Sequence, residues 1–355
     1  MLIVTGHQPV FFHPGILARF AAARHEADAQ RGDLVFLVVD HHSDSPQNIE
    51  VPVLVDGELE VRTVSLGVLD AARAMRDQTR VEVAHPTFAT GIPFVDAGIA
   101  AIATSLKAAT GDTASEQFTS AVQDLVAPWA TIDHQCTSTH LLRTSFGRAV
   151  VDAMRRDPAA CRDAYNAAIE AHPHRGVAPL EGDELPLWHG PCNEAVRETL
   201  EDWTDLRPRA ILLTLLARAV FADEFVHGTG GSRYDDVMEE WCSRWLQVPL
   251  APSAKATATI RLPLVVHETG HMPQNQRRDY LEAIEAAPRG SLERRAAFAA
   301  MKSASGTSHR DAKRQRSIVR RRDWAFPLYE PDQLDAVTTA RVVPTPLQAS
   351  LHRCP

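Results

Sequence analysis

The chain has 355 residues, of which 45% are hydrophobic and 23% charged, a composition that excludes disordered, collagen-like and coiled-coil architectures for the whole chain. The length suits one large domain or two ordinary ones. A net charge of −8, from 37 Lys and Arg against 45 Asp and Glu, argues against a nucleic-acid coat, and the five cysteines, with no CxxC pair, fit reduced cytosolic thiols better than a disulfide framework.

Met1–Val4 is a short apolar run that stops at Thr5-Gly6, which predicts a buried strand ending in a turn. The opening MLIVTGHQPV carries no basic leader, so no secretory signal is expected and the cytoplasm is the expected location. No apolar run reaches the roughly 18–20 residues that span a bilayer. Gly15–Ala23 places Ile16, Leu17 and Phe20 at helical spacing, and Leu34–Val39 is a continuous apolar run, as for a strand covered on both faces. Strand, helix and strand in that order predict a parallel pair with a right-handed crossover. Val51–Val55 and Leu59–Val64 predict a hairpin turning at Asp56-Gly57.

Helices are expected at Ala97–Ala108, Ser115–Leu125, Phe146–Met154 and Ala159–Ala171, followed by an irregular stretch to Asn193. Ala210–Phe221 is strongly apolar and leads through Glu224-Phe225-Val226 into the glycine-rich HGTGGSRY. Tyr234–Leu246 reads as a helix, Thr257–Val266 as a strand and Glu282–Met301 as one charged helix; Lys302–Arg322 is the basic stretch. The organisation expected is the first part of a core over 1–85, a mainly helical insertion over 86–205, and the second part of the core with a basic helical segment over 206–355.

Three clusters carry candidate chemistry. Gly6, His7 and Gln8, with His13 and Gly15, lie between the first strand and first helix, where open α/β sheets bind ligands and where a helix start aims free N–H groups at the crevice. Gly6 and Gly15 also suit an ordinary turn. Asp40, His41, His42 and Asp44 end the next strand, on the same sheet edge. Imidazoles and carboxylates in such an array bind a divalent ion or bind and polarise an organic substrate. Neighbouring strand residues face opposite ways and no HExxH or HxH occurs, so a metal is not the expectation. Gly228, Gly230 and Gly231, followed by Arg233 and Tyr234, form a turn that lets backbone approach a phosphate or carboxylate, or simply turns tightly; it matches neither GxGxxG nor GxxxxGK[ST]. The basic stretch reads as a solvated face, with the alternative that a cation reaches back over the cleft.

In that order the three clusters resemble the cysteine-adding ligases of bacillithiol biosynthesis. VTGHQPVFFHPGILARF is similar to that family's opening TGQQ segment, LVFLVVDHHSD to its Asp-His strand end, and LRPRAILLTLLARAVFADEFVHGTGGSRYDDVMEEW to its GGPGE-and-Tyr segment. His7 stands where the family has Gln, His42 where an acid is common and Gly231 where its Glu follows GGPG, and the chain is shorter than the family pattern. The resemblance implies an α/β fold with a Rossmann-like parallel sheet, as in class I synthetases and nucleotidyltransferases, carrying a helical insertion. HPGI at His13–Ile16 is then placed like a HIGH-type phosphate contact.

The expectation is a ligase that joins an amino acid, cysteine by the resemblance, to an amine of a small polar acceptor. His7, Asp40 and His41 would be its catalytic residues and ATP or ADP its cofactor. Gly6, Gln8, His13, Gly15, His42, Asp44, Gly228, Gly230, Gly231, Arg233 and Tyr234 would bind substrate or nucleotide. A nucleotidyltransferase or adenylate-forming enzyme, or a non-catalytic metabolite-binding protein, are the alternatives. Small molecules are the expected partners, with no nucleic acid or membrane, and a homodimer is left open.

Overall fold

A computed structural model describes residues 1–43, 45–84, 87–264, 274–304, 309–339 and 341–344. The chain begins β1 (Leu2–His7), α1 (Pro14–Ala29), β2 (Asp33–Val38), β3 (Asn48–Val55) and β4 (Glu58–Ser65). It continues through α2 (Pro93–Ala108), α3 (Ala114–Val126), β5 (His134–Thr137), α4 (Ser138–Leu141), α5 (Ser145–Arg156), α6 (Pro158–Ala171), β6 (Glu184–His189), β7 (Glu194–Arg197) and β8 (Leu206–Pro208). It ends with α7 (Ala210–Val220), β9 (Glu224–His227), α8 (Asp235–Trp245), β10 (Ser253–Lys255), α9 (Gln274–Ala286), α10 (Leu292–Ala304), α11 (His309–Arg320), α12 (Pro331–Thr338) and β11 (Val343–Pro344).

The main sheet has the order β11-β10-β9-β1-β2-β5, and its five strands from β10 to β5 are parallel. It is a Rossmann-like α/β fold. Alternation along each strand divides the core in two. Ile3, Leu34, Phe36, Val38 and Val226 pack under α1, α2, α3 and the returning Trp324–Leu328. Val4, Val35, Leu37 and Phe225 pack under α5–α8. Both faces are thus covered, which is why these strands read as unbroken apolar runs. The chain leaves β1 for β2 and β5 on one side and places β9 and β10 on the other, so the order reverses between β1 and β9.

The expected hairpin forms in full register from Asn48↔Ser65 to Val55↔Glu58, and Asp56 and Gly57 take φ of 49° and 83°, as a two-residue turn of right-handed twist requires. Three expectations are corrected. The strand placed at 257–266 is instead β10 at Ser253–Lys255; its ladder stops at Lys255↔His227, where β9 ends, and the described residues from 257 to 264 form no strand. Residues 265 and 266 lie outside the described residues. The single helix over 282–301 is two, α9 and α10, separated around Pro288 and by Gly290 at φ 85°. The irregular stretch before Asn193 contains β6, whose Leu185 and Leu187 are fully buried.

The segment 86–205 carries α2–α6 together with β5, which pairs with β2, and with β6 and β7 of a small antiparallel sheet ordered β7-β6-β8. In the basic stretch, Arg314 pairs with Glu60, and Arg321 with Asp323 and Glu50. No described helix is long and apolar enough to cross a membrane.

Candidate functional site

Because β9, β1, β2 and β5 are parallel neighbours, the loops that follow them open on one edge of the sheet. Asp40, His41 and His42, all buried, turn away from β2 at that edge. Asp40 is tied to the end of β5: its carboxylate accepts from Ser138 Oγ (2.6 Å), the Thr139 backbone N–H (3.1 Å) and Thr139 Oγ1 (2.6 Å). Burial pushes its pKa up, but His41, Ser138 and Thr139 outweigh that and hold it down at about 2, so it is ionised.

His41 Nδ1 lies 2.7 Å from Ser138 Oγ. An ionised Asp40 can only accept, so the serine proton points to Asp40 and the Nδ1–H of His41 donates to the serine oxygen. His41 Nε2 has no hydrogen-bond partner among the described residues. The turn's backbone is clamped as well. Arg76 N–H donates to Asp40 O (3.1 Å), Met75 N–H to His42 O (2.9 Å) and Asn193 Nδ2 to His41 O (2.7 Å). Asn193 sits at φ 54°, and its Oδ1 accepts from the buried Arg207 (3.3 Å).

At the end of β1, His7 Nδ1 donates to Gln8 O (2.9 Å), and the ring stands edge-on to Phe12. Burial first, then the positive Arg19, pull its pKa down to about 3; the fields of His13 and His42 act the same way, and the Gln8 carbonyl opposes them. His7 is therefore neutral near pH 7. His13 caps α1 with its own ring: Nδ1 accepts the Gly15 N–H (3.1 Å). A Cβ on Gly15 would lie 2.7 Å from Ala258 O, so that helix start is covered by chain. The expected opening of the α1 N-terminus to a ligand is thus corrected, because His13 and residue 258 already occupy it.

At the end of β9, His227 is buried with Nε2 3.0 Å from Asp235 Oδ1. Burial works to raise the Asp235 pKa, but His227 and Arg218 outweigh it and hold the carboxyl below its usual range. A Cβ on Gly231 would come within 2.4 Å of His227 Nδ1, which explains that glycine by space alone. Gly230 faces nothing within 4 Å and is open, and a Cβ on Gly228 would stand 3.5 Å from Arg19 Nη1.

The fold brings Gly6, His7, His13 and Gly228 around Arg19, with His42 close enough to act on His7. His41 faces the other way, toward Ser138. Gln8 is partly exposed in the β1 loop, while Arg233 and Tyr234 are exposed and make no side-chain hydrogen bond or ion pair among the described residues. Asp44 lies outside the described residues. Arg19, Ser138, Thr139 and Asn193 are the residues that sequence reasoning missed. Arg19 had a signal, as the one cation inside the apolar GILARFAAA; Ser138 and Thr139 follow a strand too short and polar to read.

Among the described residues no group of three His, Cys, Asp or Glu side chains is arranged to hold a metal ion. A cavity of about 290 Å³ adjoins the β1 loop, between Val10-Phe11, Ser45–Glu50 and Arg321–Ala325. No protein-family model matches the sequence, and no curated protein matches it.

Proposed function

We propose that this protein is a ligase that forms a carbon–nitrogen bond between the carboxyl group of an amino acid and the amine of a small polar acceptor. The observation that carries the reading is the Asp40–Ser138–His41 chain at the sheet edge, which aligns one imidazole and leaves its Nε2 as a base. The amine nitrogen attacks the acyl carbon, the bond from that carbon to its leaving group breaks, and the amine proton passes to His41 Nε2. Asp40 steadies the imidazolium through the serine hydroxyl, and Asn193 holds the backbone of His41. A nucleotide, when bound, supplies the activation that a free carboxylate lacks; the glycine turn and the Arg19 guanidinium, at the neighbouring gap between β1 and β9, fit an anionic group. The resemblance of the TGHQP, DHHSD and HGTGGSRY segments to cysteine-adding ligases supports cysteine as the amino acid.

The test incubates the full chain with ATP, cysteine and a series of amino sugars, with mass spectrometry for the amide and assay of ADP or pyrophosphate. Amide formed by the wild type and lost by at least about 10²-fold in His41→Gln, with little change in Tm, is the expected result. Nucleotide cleavage with no amide indicates a nucleotidyltransferase or adenylate-forming enzyme, and ligand-induced stabilisation with no turnover a non-catalytic binder. Full activity in His41→Gln overturns the assignment of the base.

A further inference from the structure

Among the described residues three arginines are buried, and two of them have the partners that a buried cation needs. Arg207 meets Asp77 (2.5 Å) and Asp205 (3.1 Å), and Arg218 meets Glu239 (2.7 Å) and Asp235 (3.4 Å). Arg19 is different. It is 6% exposed, its Nη2 donates to the Gly6 carbonyl (2.7 Å), its Nε is sealed from solvent with no partner, and no carboxylate lies within ion-pair distance of it among the described residues. A guanidinium with one neutral acceptor is an unpaid desolvation cost, which an anion seated against it removes.

Its place in the fold is where such an anion would sit. The side chain reaches from α1 to the gap between β1 and β9, where the strand order reverses; Gly6 is on one side and Gly228 on the other. Thr5 Oγ1 ties the floor by donating to Val226 O (2.9 Å). Gly6, His7 and Gln8 are only partly buried and form the rim, and neither Gln8's amide nor His7 Nε2 has a hydrogen-bond partner among the described residues. Burial lowers the Arg19 pKa only to about 10, so the charge is present near pH 7.

We infer that the crevice between β1 and β9 is a binding site for a small oxyanion, a carboxylate or a phosphoryl group, with the buried Arg19 guanidinium as its counter-charge. The seat is built from a side chain, since the start of α1 is closed by His13 and Ala258. It stands whether or not an amide is formed nearby.

The experiment is thermal unfolding and calorimetric titration of the full chain with inorganic phosphate, adenosine 5′-phosphate and acetate, against sodium chloride at matched ionic strength. A saturable rise in Tm of about 3 °C or more at one site per chain is expected from phosphate or acetate but not from chloride. The phosphate and acetate arms tell the two sources of the oxyanion apart. Arg19→Met, similar in volume, is expected to melt at or above the wild-type temperature without anion and to lose the anion-induced rise. Should Arg19→Met fail to fold, Gly228→Val, which crowds Nη1 from the opposite wall, is expected to lose the rise instead. An unchanged rise in either variant, no rise in the wild type, or an Arg19→Met protein that folds but melts well below wild type overturns the site.

Discussion

His7 and Asp40 make the folded state acid-sensitive, each in the same direction. In the unfolded chain a histidine takes up a proton below its ordinary value of 6.5, whereas folded His7 resists until about 3. Between those limits the unfolded state binds more protons, so stability falls as pH is lowered through that window, by at most about 1.4 kcal/mol per pH unit. Asp40, ordinary value 3.8 and about 2 in the fold, adds stability that is present above 3.8 and lost as pH falls through 2. Urea midpoints from pH 7 to pH 4.5 are expected to drop more steeply in the wild type than in His7→Gln, and parallel slopes would show that His7 is not the group responsible. The histidines at positions 7, 41 and 42 stood out in the sequence as polar residues at one sheet edge. Their separation did not: His41 turns to Ser138 while His42 acts on His7, a division that depends on which strand lies on each side of β2.

The turn from β9 to α8 shows how one element mixes packing and access. Neither Gly228, Gly230 nor Gly231 takes a positive φ, so backbone freedom does not explain them. Gly231 is required by the ring of His227 beneath it, and Gly231→Ala is expected to cost about 1–3 kcal/mol in chemical denaturation, since the ring is held by Asp235 and cannot simply retreat. Gly230 meets open space, so Gly230→Val is expected to leave stability near wild type and to weaken ligand binding; unchanged affinity would make it a plain turn residue. The glycine-rich turn was visible in the sequence because its spacing falls between an apolar strand and an amphipathic helix. β5 was not, because HQCT is short and polar and becomes a strand only through the exposed edge that β2 offers it.

Across the whole molecule, the C-terminal part of the chain packs behind the loop that follows β1. Phe326 is 1% exposed, stacks on Phe12 with centroids 5.3 Å apart, and its N–H donates to Phe12 O at 2.7 Å. The loop carrying His7, Gln8 and His13 is thereby held from behind by residues more than three hundred positions away. Phe326→Ala is expected to lower stability by about 3–5 kcal/mol in urea titration and to loosen the β1 loop, seen as faster amide exchange from residue 7 to residue 13. A loss of stability with unchanged exchange there would separate the two roles.

The parallel sheet, its first βαβ unit, the hairpin at Asp56-Gly57 and the location of the polar loops were determined by the sequence alone, because apolar runs, helical spacing and turn residues act over a few neighbours. The partner of His41, the lack of an acid beside Arg19 among the described residues and the closure of the α1 start were decided by the tertiary structure. Each depends on groups brought together from distant segments — Ser138, Gly228, Ala258 — and burial sets a charge's partners by position in space, which local spacing does not encode.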